Sequence, residues 1–168
     1  MQLLLATSQR LVIGFILSLI LGGFAYAGDL DGTWRLVMRR LPDGTVQTPP
    51  TVHGRFTTKD GVNQLIVFWP TAEGKPASLS AITKWEWSEN EVAATPLVVI
   101  FDDGSGKPPV YTVDGETKRA PIARRGGRVS YKHPIDPVFI VWEGEVSEAS
   151  KMTATSEGGV VNYWEPVK

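Results

Sequence analysis

The sequence predicts an all-β protein, an antiparallel up-and-down β-barrel of about eight to ten strands preceded by a cleavable export signal. Apolar and polar residues alternate in short runs along nearly the whole chain. Turn-forming clusters such as Pro42-Asp43-Gly44, Asp60-Gly61 and Glu157-Gly158-Gly159 separate those runs. Hardly any stretch sustains the period of an amphipathic helix. A meander of this many strands removes its exposed edges most simply by closing on itself.

The N-terminus stands apart. Arg10 and the free amine precede an apolar run, Leu11 to Phe24, that ends in Ala25-Tyr26-Ala27. The run is short for a bilayer span, and small side chains at two contact positions suit a signal peptidase, so cleavage is expected before Gly28. Residues 1–27 are read as a signal peptide and residues 28–168 as one barrel domain, periplasmic or secreted, with no stable membrane insertion once the leader is removed.

Losing Arg10 with the leader takes the formal net charge from −1 to −2, which is no electrostatic footprint for nucleic acid. The chain has no Cys, so neither disulfides nor thiolate metal sites are available and stability must come from burial and a hydrogen-bonded ladder. Two histidines exclude a His-rich metal centre, and neither a metal nor a cofactor is expected.

Taken in order, Thr33 to Arg39 alternates as a first strand, with Trp34, Leu36 and Met38 on one face and Arg35, Val37 and Arg39 on the other. Pro42-Asp43-Gly44 turns the chain into an edge segment, Thr45 to Pro50. Val52 to Thr58 and Asn63 to Trp69 form a hairpin across Asp60-Gly61. Ser78 to Ser88 is the cleanest strand, its odd positions Leu79, Ala81, Thr83, Trp85 and Trp87 facing the core and Ser78, Ser80, Lys84 and Glu86 facing water. In Val92 to Phe101, Pro96 marks an edge or a bulge. Val110 to Val113, Arg128 to His133, Val138 to Val146, Lys151 to Thr155 and Val160 to Glu165 complete roughly ten strands, without repeats or a linker.

These residues carry a resemblance. Leu30-Asp31-Gly32-Thr33-Trp34-Arg35-Leu36-Val37 resembles the Gly-x-Trp opening strand of lipocalin-like, calycin-type barrels, most nearly the bacterial lipocalin-like domains. There a turn similar to Pro42-Asp43-Gly44-Thr45 follows, then a Gly-x-aromatic strand similar to Gly54-Arg55-Phe56 with its Asp60-Gly61 turn. The last hairpin, Met152 to Val167, is similar to a barrel-closing strand pair. The resemblance implies that Gly32 lets the chain enter the barrel floor, that Trp34 plugs that end, and that the interior binds a small apolar molecule.

Trp85 and Trp87, with Tyr111 and Tyr131, are the candidate aromatic wall of such a site; the alternative is that they fill the core. His133 shares a strand face with Val129 and Tyr131 and has Asp136 nearby, which suits an acid or base at the barrel mouth, or a histidine that is only hydrogen-bonded. Asp102, Asp103, Asp114 and Glu116 form an acidic cluster of Ca²⁺-binding or plain turn character. Lys118, Arg119, Arg124, Arg125 and Arg128 make a basic loop, with Arg124, Arg125 and Arg128 as candidate anion ligands at a lid; a solubilising loop is the alternative.

Three functions follow. The leading one is an exported, non-enzymatic barrel binding a small hydrophobic or amphipathic ligand in its interior. The second is a lipocalin-like cyclase or isomerase in which His133 or Glu143 moves a proton. The third is a cell-envelope interaction module with a packed barrel, working through its outer surface or the Thr45 to Pro50 edge.

Overall fold

The structure is a computed structural model that describes residues 31–144 and 149–168. The expected leader, and the end of the strand expected over Val138 to Val146, lie outside those residues. The described chain is all-β, with thirteen strands in one antiparallel sheet and no helix.

In chain order the strands are β1 (Gly32–Arg40), β2 (Val46–Gln47), β3 (His53–Lys59), β4 (Val62–Pro70), β5 (Pro76–Trp87), β6 (Glu91–Asp102) and β7 (Val110–Val113). They continue as β8 (Lys118–Pro121), β9 (Ala123–Arg125), β10 (Arg128–Lys132), β11 (Val138–Glu143), β12 (Lys151–Ser156) and β13 (Val161–Pro166). The hydrogen-bonded path runs β7-β6-β5-β4-β3-β1-β13-β12-β11-β10-β9, so the first and last long strands are neighbours at its centre. The path ends at β7 and β9 and is not a closed ladder.

The sheet nevertheless rolls around one core. Trp34 and Leu36 on β1, Phe56 on β3, Val67 on β4, Val92 on β6, Ile140 and Trp142 on β11 and Trp164 on β13 pack in a single cluster. Trp85 and Trp87 on β5 meet Tyr131 on β10, although six strands of the path separate the two. The segment from Lys118 to Arg125 touches both arms: β8 pairs with β6, β9 pairs with β10, and only Ile122 lies between them. Its N–H donates to the Asn90 carbonyl at 2.8 Å.

Turn chemistry sets the register. Asp60 and Gly61 take φ of 51° and 74°, and Lys59 pairs with Val62, as a two-residue hairpin requires. Gly126 and Gly127 do the same at 58° and 71° between Arg125 and Arg128. The supposed basic loop is therefore two short strands and a tight hairpin. Its charges hid an alternation in which Ala120 and Ile122 face the core.

Two bulges correct the expected faces. In β1 the register with β13 slips between Leu36 and Met38, so Trp34 and Leu36 stay inside while Met38 pairs with Tyr163 on the outer face. Arg39 then falls opposite Asn162, on the inner face rather than beside Arg35. In β6 the register with β5 slips between Ile82 and Thr83, next to Pro96. Pro96 is at a bulge and not on an edge, because β6 is paired on both sides.

The glycine carrying the tightest packing on β3 is Gly54. A Cβ there would lie 2.7 Å from the ring of Trp164 and 2.8 Å from Cβ of Leu36, so Gly54 is what lets Trp164 cross beneath β3. At Gly32 a Cβ would meet only Trp34 Nε1 at 3.6 Å, an ordinary contact, so that position does not demand glycine. Trp34 itself is buried, stacked on Phe56 at 5.8 Å and edge-on to Trp142 at 5.0 Å.

Candidate functional site

Inside the roll, between β3–β5 and β10–β13, lies a cavity of about 150 Å³. Its apolar wall is Phe56, Leu65, Val67, Leu79, Trp85, Val138, Ile140, Trp142, Met152, Ala154 and Trp164. Alternation explains why these side chains converge: they occupy every second position on strands whose intervening residues face water. The polar members are Asn63, Tyr131, His133, Asp136 and Asn162.

The ring contacts are dense. Trp85 and Trp87 stack at 5.9 Å and 19°, and both stand edge-to-face with Tyr131, at 6.3 and 5.2 Å. Trp85 also meets the His133 ring at 5.0 Å. The indole N–H groups of Trp85, Trp87, Trp142 and Trp164 are buried without a hydrogen-bond acceptor. Each of these indoles does have an edge-to-face ring neighbour, an arrangement in which an N–H can point at a π face.

His133 is the only histidine that lines the cavity. Its Nδ1 accepts the backbone N–H groups of Ile135 at 3.3 Å and Asp136 at 3.0 Å. An acceptor at Nδ1 carries no proton, so the 3.6 Å approach of the Asp136 carboxylate is not an ion pair. Burial pushes the His133 pKa down and outweighs the opposite pull of Asp136, which agrees with a neutral ring protonated on Nε2. Nε2 has no partner among the described residues and remains a donor. Burial likewise drives the Tyr131 phenol well above its usual range, so Tyr131 is a neutral wall residue.

Of the residues singled out in the sequence, Trp85, Trp87, Tyr131 and His133 come together here. Tyr111 does not. It is 65% exposed and pairs with Ile100 on the outer face of the sheet, away from the cavity. Glu143 is also separate: it alternates outward from Trp142 and binds Arg128 at 2.8 Å in solvent. His133 and Glu143 therefore do not form one proton-transfer site. With Arg128 paired to Glu143 and Arg124 bonded to the Glu89 carbonyl at 3.4 Å, the basic hairpin is fastened to the sheet and is not a loose lid. Arg125 stays exposed at its tip. Asp102 and Asp103 accept from the N–H groups of Gly104 and Ser105, which makes them turn formers, and no metal-binding cluster occurs among the described residues.

No family model, curated protein or solved structure matches this chain. The lipocalin-like resemblance thus rests on the sequence motifs alone.

One inner-face residue escaped the sequence reading. Arg39, turned inward by the β1 bulge, lies 4.9 Å above the Trp69 ring and donates to Asn162 Oδ1 at 3.4 Å. Trp69 in turn stacks on Phe101 at 6.3 Å. A bulge shifts alternation by one residue and leaves no mark in a single sequence, so no signal pointed to it.

Proposed function

We propose that this protein is an exported β-barrel that binds a small, largely apolar ligand in its interior, without catalysing a reaction on it. The observation that carries the reading is the cavity of about 150 Å³ walled by buried aromatic side chains from both arms of the sheet, with neutral His133 as its polar handle. A void of roughly 150 Å³ takes one benzene-sized molecule, whereas drug-sized ligands fill roughly 300–1,000 Å³. The favoured ligand is therefore ring-sized or a short chain, smaller than a long-chain fatty acid or retinoid.

The barrel itself belongs to this proposal. Support comes from the Lys118 to Arg125 segment, which bonds to β6 through β8 and to β10 through β9, and so bridges the two arms that the open ladder leaves apart. A periplasmic or extracellular setting, a lipocalin-like relationship and the absence of nucleic-acid partners are parts of the same reading, supported by the leader, the Gly-x-Trp strand and the charge balance.

A second reading, a surface interaction module, draws on a hollow of about 460 Å³ on the outer face of β3–β6, with Ile66, Ile82, Val98 and Ile100 in its floor. It is larger than the interior cavity. Its walls come from one face of one sheet, whereas Tyr131, Trp142 and Trp164 in the interior are more than nine-tenths buried. Enclosure on several sides is what binding a small molecule needs, so the interior is favoured.

Native mass spectrometry and tryptophan emission of the chain from Gly28 onward test the proposal with indole, benzoate, benzamide, hexanoate and palmitate. The ring-sized and short-chain probes shift the emission, since Trp85, Trp142 and Trp164 line the site, and palmitate does not. Emission unmoved by every probe overturns the reading.

A further inference from the structure

We propose that the interior site takes a small apolar carboxylate, with Arg39 as the residue that binds its charged end. This rests on the interior-ligand reading and names the ligand class. Arg39 is the cation that the β1 bulge turns inward, opposite Asn162, which itself lines the cavity. The guanidinium is thus one side chain away from the cavity wall.

Arg35, Arg119 and Arg128 at the surface each face a carboxylate, at 3.9, 2.7 and 2.8 Å. Half-buried Arg39 faces none among the described residues: its neighbours are Trp69, Asn162 and, directly across β2, Gln47. Arg40 and Arg55 also face no carboxylate among the described residues, but both are exposed; Arg39 differs from them in being half-buried. Nε of Arg39 and Oε1 of Gln47 are both buried without partners. Burial of the unpaired cation lowers its pKa, a cost that a bound anion would offset. A guanidinium offers a planar fork of donors that matches a carboxylate, and the amides of Gln47 and Asn162 beside it add neutral groups only. One positive charge with amide neighbours balances a monoanion; a phosphate dianion would call for a second cation.

The two halves of the site then divide the ligand. Arg39, Gln47 and Asn162 meet the charged end, and the apolar body lies in the cavity with His133 Nε2–H as a further donor. Stacked Trp69 and Phe101 form the apolar shelf beneath the guanidinium.

The test is isothermal titration of the chain from Gly28 onward with two matched pairs, benzoate against benzamide and hexanoate against hexanamide, at pH 7.5. Wild type is expected to bind each carboxylate at least tenfold more tightly than its amide. Arg39→Met, which keeps an apolar stem over Trp69, brings each pair to within twofold by weakening the carboxylate alone, and Arg39→Lys recovers part of the preference. Amides that bind wild type as tightly as the acids overturn the carboxylate assignment and leave the interior-ligand reading standing; this comparison needs no variant to fold. A preference that survives in Arg39→Met overturns the role of Arg39. Binding of none of the four compounds overturns this inference, and the interior-ligand reading falls with it where indole also leaves the tryptophan emission unmoved.

Discussion

Arg39 and Asn162 face each other across β1 and β13 on the inner face of the sheet, joined by a 3.4 Å hydrogen bond, because one extra residue near Val37 resets the alternation of β1. A strand that began with Trp34 and Leu36 inward would otherwise have sent Arg39 to water. The bulge exchanges an aliphatic inner position, Met38, for a cation.

That exchange has a thermodynamic signature. An unpaired, half-buried charge is a poor stabiliser, while a cation above an indole contributes about 0.5–1 kcal/mol. Arg39→Met in the ligand-free protein is therefore expected to be neutral or stabilising by up to about 1 kcal/mol in urea denaturation. Loss of more than about 1 kcal/mol would mark Arg39 as a structural support.

Gly54 and Gly32 are expected to behave oppositely. Gly54→Ala drives a methyl to within 2.8 Å of both Trp164 and Leu36 and should cost roughly 1–3 kcal/mol through overpacking. Gly32→Ala meets one ordinary contact and should change stability by less than about 1 kcal/mol, since restricting the unfolded chain works in its favour. Equal costs at both positions, read from denaturation midpoints, would contradict this packing.

His133 makes stability fall in mild acid. Burial lowers its folded pKa below the ordinary value of about 6.5, so the unfolded chain binds the proton more readily. The stability this neutral ring supports is complete above about pH 6.5 and declines as pH drops toward the folded pKa, by at most about 1.4 kcal/mol per pH unit. The other titratable groups on the cavity are the Asp136 carboxylate, from the following turn, and the Tyr131 phenol, from β10. His133→Asn, whose Oδ1 can still accept the Ile135 and Asp136 N–H groups, should flatten the profile between pH 7.5 and 5. Parallel profiles for the two proteins would assign the acid sensitivity elsewhere.

Glu143→Gln is expected to do little. Its bridge to Arg128 is solvent-exposed, and such pairs contribute about 0.2–1 kcal/mol. Ligand affinity should stay within twofold of wild type. A tenfold loss would place Glu143 in the site that the fold separates it from.

Much of this fold was legible because period-two alternation and Asp-Gly or Gly-Gly turns act locally: β5, β7, the Asp60-Gly61 hairpin and the inward set Leu79, Thr83, Trp85 and Trp87 follow directly from them. Pro96 pointed to an edge or a bulge, and pairing on both sides of β6 decides for the bulge. β8 was hidden because its partner, β6, lies some way back in the chain, and β9, although one side of the Gly126-Gly127 hairpin, because its composition reads as solvated charge. Tyr111 shows the limit of face assignment in a four-residue strand, where nothing but the partner strand decides which side is inside. Arg39 was illegible for the related reason that the Val37 bulge answers to β13, some 120 residues away in sequence.

If the interior cavity is the ligand site, filling it must weaken or abolish binding. Ala154 lines it opposite Asn162, so Ala154→Leu fills the space with carbon while keeping an apolar wall. The decisive measurement is the tryptophan emission titration of wild type and Ala154→Leu with benzoate, alongside a denaturation curve that shows the variant folded. Saturable binding to wild type and at least a tenfold weaker response in the variant are expected. Equal binding by both would show that the ligand sits elsewhere and overturn the interior-ligand reading.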